Sequence, residues 1–318
     1  MPEIVANNRW LIGCFVLAAI VLALLPMFVS GYAVSFLLLM FANIALATAW
    51  SFFSGATRYI SLATAAFFGI GIYTLAITHV YIPIGLALAA AAVIGFLVAV
   101  LVGLSTLRLR GVYFVVFTFG LTELVHQVIN WWEIKINKTA TRYIFSDVSN
   151  VAIYQILLAA MLMTVVGSWY VSQSRLGYAL RAIGEDETVA RHTGINTTWV
   201  KVLCFALSAS AMALVGATLA LRYPYIDASI AFNNSWSFQV LIAALLGGAS
   251  RFWGPMVGAI PLVLLSEFLA GTFPHHFSIA LGLCFVVIVY FIPGGLAPLI
   301  ERTWYRLRDS MRTRPAAA

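Results

Sequence analysis

Apolar residues in this chain come in long runs, not at the three-to-four-residue or alternate-residue spacing of half-buried helices and strands. Ten runs stand out, at residues 10–29, 33–53, 61–80, 83–106, 112–131, 151–171, 199–221, 234–249, 253–272 and 277–293. Several have the length that crosses a hydrocarbon layer ~30 Å thick at ~1.5 Å per helical residue. The pattern predicts an all-α, polytopic transmembrane helical bundle of about ten spans, with residues 1–318 forming one domain. The eighth run is the weakest, because only 237–249 is well suited to lipid. The first run resembles a signal peptide in place. After Ser30-Gly31-Tyr32-Ala33, however, the chain enters another apolar run at once, and an uncleaved first span is expected.

Composition turns this pattern into an exclusion. Hydrophobic residues make up 63% of the chain and charged residues 9%, against about a quarter charged in a soluble domain. A water-soluble protein of this size has no single core able to hide so much apolar surface. Small residues such as Gly69, Gly71, Gly247 and Gly248 lie inside the runs. There they let helices approach closely where lipid supplies no hydrophobic drive between them.

The formal net charge of +7 would point toward nucleic acid in a soluble protein. Here the charges lie between apolar runs, so orientation in the membrane explains them and no nucleic acid is expected. Alternate connections place fourteen basic residues on one side: Arg9, Arg58, Arg108, Arg110, Arg175, Arg181, Arg191, Lys201, Arg251 and five arginines from Arg302 to Arg314. Lys135, Lys138, Arg142 and Arg222 fall on the other. Both termini are therefore expected in the cytoplasm, and a re-entrant eighth run, which would strand the arginine-rich tail outside, is disfavoured.

Reactive chemistry is sparse. Cys14, Cys204 and Cys284 are isolated within apolar segments, and the adjacent His275 and His276 do not readily face one metal, so no metal site is expected. There is no HExxH, no GxSxG, and no P-loop, since none of Lys135, Lys138 and Lys201 follows a glycine. The chain assigns no catalytic residues, and nucleotide energy has to arrive through another subunit.

Two carboxylates inside spans need an explanation, because a charge near mid-membrane costs several kcal/mol. Glu123, His126, Gln127 and Asn130 repeat at helical spacing and form one polar stripe. Either the stripe lines a water-filled passage, with Asn130 toward the external mouth, or it is a hydrogen-bond network fastening two helices. Glu267 has no such stripe; it is a further pathway candidate, for which structural pairing is the preferred reading.

Two connections are long. The external one, 132–150, mixes Glu133, Lys135, Lys138, Arg142 and Asp147, which fits a solvated mixed-charge face or a docking surface. The cytoplasmic one, 172–198, predicts two short helices. Leu176, Ala179, Leu180 and Ile183 share one helical face, and Gly184 breaks the run. Glu185, Asp186 and Glu187 place negative charge at the start of a second helix. Glu187 and Arg191 form an i, i+4 pair, and Gly194 is placed to end the helix with positive φ. This is either a well-capped surface loop or a rigid knob for a cytoplasmic motor.

The chain resembles the permease subunits of bacterial ABC importers for branched-chain amino acids and related small polar molecules. The resemblance is carried by LRLRGVYFVVFTFGLTE (107–123), SRLGYALRAIGEDETVARHTGI (174–195), LLGGASRFWGPMVGA (245–259) and FIPGGLAPL (291–299), with AAFFGIGIYT (65–74) in support. It implies that 174–195 couples to an ATPase subunit, through Glu185, Asp186, Glu187, Ala190, Arg191 and Gly194. It also implies a second related permease subunit, two cytoplasmic ATPase subunits carrying ATP and Mg, a periplasmic substrate-binding protein, and residence in the bacterial inner membrane among its lipids. Family members commonly carry Gly-His or Gly-Gln before the AAFFGIG-like run, where this chain has Ala63-Thr64. Their Gly-Gly-x-Gly turn is Gly247-Gly248-Ala249-Ser250 here. These departures bear on the substrate. A proton- or sodium-coupled secondary transporter using Glu123 or Glu267 is the alternative, although no internal repeat supports it. An integral membrane enzyme lacks a set of reactive groups.

Overall fold

The computed structural model describes residues 9–272, apart from 110, 140 and 145–147, together with 279, 282–283, 286, 290, 295–298 and 301; for 9–16 it describes the backbone alone. Most of the tenth predicted run lies outside these residues, as do Arg110, His275, His276, Cys284 and the arginines from Arg302 onward. The helices are α1 (Arg9–Leu24), α2 (Gly31–Trp50), α3 (Thr64–Thr78), α4 (Ile84–Thr106), α5 (Val112–Trp132) and α6 (Asn150–Ser172). After them come α7 (Arg175–Glu185), α8 (Glu187–His192), α9 (Thr197–Ala220), α10 (Ala228–Ala231), α11 (Ser235–Gly247) and α12 (Gly254–Thr272). Among the described residues seven stretches are long and apolar enough to cross a membrane: Gly31–Gly55, Ile84–Thr106, Val112–Asn137, Asn150–Ser172, Thr197–Ala220, Ala228–Gly247 and Gly254–Thr272. An all-α polytopic bundle is the observed class.

The bundle is built around α9, which packs against α2, α3, α4 and α6. Close approach sets its geometry. A Cβ on Gly71 of α3 would stand 1.9 Å from the carbonyl oxygen of Ala213 in α9, and one on Gly95 of α4 would meet the Ala213 methyl at 2.5 Å. Three helices thus close on one alanine, so that dispersion contacts between backbones hold the centre. By contrast, α5 is loosely covered, resting mainly on α3 and α10.

Two predicted runs are reshaped. The third, read as 61–80, becomes helical only at Thr64, because α2 continues through a π-helical turn at Ser51–Gly55 and the chain then leaves the helix until α3. Arg58 takes φ 62° in that segment. The eighth run, read as 234–249, forms α11, and the short α10 precedes it. With 13 residues, α11 extends ~20 Å, short of a ~30 Å hydrocarbon layer, and ends at Gly248 with φ 99°.

The connection at 132–150, expected outside, is tied down through Glu133, while Lys135 and Lys138 stay exposed. Glu133 is 1% exposed and accepts from Arg142 Nε at 2.5 Å and Asn137 Nδ2 at 2.9 Å. Arg142 also lies over the Trp132 ring. The strand β1 (Arg142–Tyr143) then pairs antiparallel with β2 (Tyr225–Ile226), Arg142 opposite Ile226. A buried carboxylate of this kind holds its place because its charge is met by a guanidinium and an amide.

Candidate functional site

The predicted pair of short helices exists, as α7 and α8. Leu180 and Ile183 of α7 are buried, with Leu176 and Ala179 partly buried beside them. Gly184 does not break α7, which runs on through Glu185. Its missing side chain serves packing instead, since a Cβ there would lie 2.0 Å from the carbonyl oxygen of Ala56. The break falls at Asp186, in extended conformation, whose carboxylate accepts from the amides of Thr188 (2.7 Å) and Val189 (3.1 Å). It is the N-cap of α8 and satisfies two otherwise orphaned donors. At the other end the amide of Ile195 donates to the Ala190 carbonyl and that of Gly194 to Arg191, with Gly194 at φ 86°. This is a Schellman closure.

The six residues assigned to coupling divide between two faces. Ala190 is buried against the bundle, and Glu187 is largely covered. Glu185, Asp186, Arg191 and Gly194 face outward, together with Tyr178 and Val189, large apolar side chains left exposed. Glu185 pairs with Arg58 at 2.8 Å, both well exposed.

Glu187 has a stronger partner than the predicted one. Arg191 stands 3.6 Å away, but Lys201 Nζ of α9 lies at 2.8 Å and is 3% exposed. The Tyr59 hydroxyl donates to the other carboxylate oxygen at 2.8 Å. Lys201 also donates to the Leu107 carbonyl at 3.0 Å and sits 4.9 Å from the Tyr59 ring centroid. Ion pair, hydroxyl and ring contact together fasten α8 to α9, to the α4–α5 turn and to the non-helical segment before α3. The sequence signal was present, a lysine near the start of an apolar run. Its partner was not readable.

That segment continues the connection inward. The Leu62 amide donates to Thr118 Oγ1 of α5 at 3.0 Å, and the Leu62 carbonyl accepts from Ser237 Oγ of α11 at 2.9 Å and Thr122 Oγ1 at 3.4 Å. Trp50 Nε1 donates to the Ser61 carbonyl at 2.7 Å. Non-helical backbone survives at this depth only because side chains from α2, α5 and α11 satisfy it. Ala63 and Thr64, the pair that departs from the family pattern, are both buried at the start of α3.

Thr122 adjoins Glu123, the head of the polar stripe. Glu123 Oε1 accepts from Gln127 Nε2 at 2.7 Å, and His126 Nδ1 lies 3.5 Å away. The Glu123 side chain is 51% exposed, and these partners all belong to α5 itself. Glu123 and Gln127 therefore lie on an open face of α5, and the hydrogen bonds of the pair do not join it to a neighbouring helix of the described chain. Beside it, the His126 ring stacks at 6.3 Å on Phe232, and Asn130 is partly buried. Glu267 is elsewhere, on α12, accepting from the Tyr32 hydroxyl of α2 at 3.0 Å. Among the described residues no group of three or more His, Cys, Asp or Glu could hold a metal ion.

Comparison with known proteins agrees with this architecture. Residues 32–291 match the family model described as branched-chain amino acid transport system, permease component. The high-affinity branched-chain amino acid transport system permease protein LivM of Escherichia coli K12 is 27% identical over 325 aligned residues, covering 90% of this chain and 75% of that protein. LivM of Salmonella typhimurium is 25% identical with the same coverage. The permease protein BraD of Pseudomonas aeruginosa is 31% identical over 42% of this chain and 44% of its own length. No solved structure matches. With its long apolar helices the chain is a multi-pass protein of the bacterial inner membrane, and it belongs to the permease family of branched-chain amino acid ABC transport systems.

Proposed function

We propose that this chain is one permease half of an ATP-driven importer of branched-chain amino acids or related small polar molecules. A second, related permease subunit completes the translocation unit, and a periplasmic binding protein delivers the substrate. Two cytoplasmic ATPase subunits, one of which grips α7 and α8, bind ATP and Mg, for which this chain has no P-loop.

The observation that carries the reading is the two-faced knob. Its outward face offers Tyr178, Val189, Glu185 and Arg191, while its inward face is bolted to the bundle through Glu187, Lys201 and Tyr59. A force applied outside is thus delivered to the segment that holds Thr118 and Thr122 of α5. The stripe of Glu123, His126, Gln127 and Asn130 lies on that same helix. A charge facing lipid costs ~3 kcal/mol, so the exposed Glu123 calls for cover. The second permease half supplies it, and the passage runs between the two. Glu267, bonded to Tyr32, has a structural part.

Pull-down of the ATPase subunit with the permease tests this. Val189→Asp with Arg191→Glu on the outward face should reduce recovery of the ATPase about tenfold, with the permease still inserted. Uptake should survive an uncoupler while ATP is held constant. Undiminished recovery would remove the knob from the interface, and uptake that dies with the uncoupler would favour an ion-coupled transporter.

A further inference from the structure

Beneath the knob lies a cavity of about 230 Å³ between α7, the ends of α2 and α6, and the turn before α12. Its polar wall carries Arg58, Arg181, Arg251 and Gln173. Arg58 is neutralised by Glu185 and Arg251 by Glu301. Arg181 has no carboxylate partner among the described residues; it donates to the Ser172 carbonyl at 3.0 Å and lies over the Tyr178 ring. The wall therefore carries one positive charge in excess. Thr48, 2% exposed, also lines the cavity, and its Oγ1 has no hydrogen-bond partner.

A second cavity of about 140 Å³ shares Phe52 and Ser168 with the first and extends up α6 to Met163. From Ser172 to Met163 is ~13 Å along the helix. This limb is apolar, and it is flanked by the exposed side chains of Met163 on α6 and Leu207 on α9. At the polar mouth the lining residues Trp169 and Phe252 are exposed, in the manner of the aromatic belt at headgroup level.

We infer that this cleft is a binding site for an anionic phospholipid, its phosphodiester held at Arg181 and one acyl chain lying in the limb between α6 and α9. The charge balance matches a monoanionic headgroup, and basic pockets between helices at a membrane face are where such headgroups bind. A free phosphate explains the arginine but not the apolar limb or the aromatic rim. Because α7 forms one wall, the lipid would buttress the knob from the bundle side.

Native mass spectrometry of the full chain in mild detergent tests the inference, with phosphatidylglycerol and phosphatidylethanolamine of identical acyl chains added in turn. Phosphatidylglycerol should be retained more strongly, and Arg181→Gln should weaken its retention about fivefold. Gly167→Leu narrows the limb at a position where a Cβ meets nothing within 4 Å. It should fold normally and also lose lipid. Equal retention of the two lipids, or unchanged retention in the two variants, would overturn the inference. Displacement by millimolar inorganic phosphate would also do so, by making this a small-anion site.

Discussion

Removing the Lys201 ammonium should weaken the fold and do so through Glu187. Lys201→Met keeps the length of the side chain and its packing but leaves a carboxylate whose side chain is only 10% exposed without its nearest cation. Breaking one side of a buried ion pair costs about 3–5 kcal/mol, because the survivor is left desolvated and unpaired. Two groups soften the loss. The Tyr59 hydroxyl still donates at 2.8 Å, and Arg191, at 3.6 Å and well exposed, can close in. The lower end of the range, about 3 kcal/mol, is therefore expected. Glu187→Met alone should cost a similar amount by stranding Lys201. The double variant, with two apolar side chains facing each other, should cost less than the sum of the singles by about 2 kcal/mol. Reversible unfolding of the chain in mixed micelles, followed by circular dichroism, gives all four free energies. Additive losses, or a Lys201→Met cost within about 0.5 kcal/mol of zero, would refute the claim that this pair fastens the knob.

Gly194→Ala places a side chain at φ 86° and should cost about 1–2 kcal/mol, seen as faster amide hydrogen exchange at Gly194 and Ile195 and little change in α9. Glu123→Gln keeps a hydrogen-bonding side chain on an exposed face, so unfolding free energy should shift by less than about 0.5 kcal/mol. Uptake by the assembled transporter should nevertheless fall several-fold. A stability loss matching the uptake loss would instead make Glu123 a structural residue.

Much of this protein was legible along the chain, because the physics that sets it is local. Runs of apolar residues long enough to cross a bilayer announce a bundle whatever their neighbours are. The two helices of the knob could be read from residues a few positions apart: the face of Leu180 and Ile183, negative charge near Asp186, and a glycine at 194. Even so, local reading assigned the break to Gly184, whose bareness answers to Ala56, more than a hundred positions away.

What tertiary structure alone decided is the partner of each polar group. Sequence spacing gave Glu187 to Arg191, its neighbour on one helix. The fold gives it instead to Lys201 and Tyr59, since burial makes a near, desolvated cation count for more than an exposed one. The start of the third run was likewise out of reach, because residues 58–63 stay unwound only where Thr118, Ser237 and Trp50 arrive to satisfy their backbone. Periodicity put Glu123 on a polar stripe, but only the packing left it and Gln127 on an open face of α5 while His126 turned to Phe232. Hydrophobicity and helix capping act over a few residues and are written in order along the chain. Pairing in a low-dielectric interior depends on which helices meet, and that is settled by the close packing of Gly71, Gly95 and Ala213 at the centre.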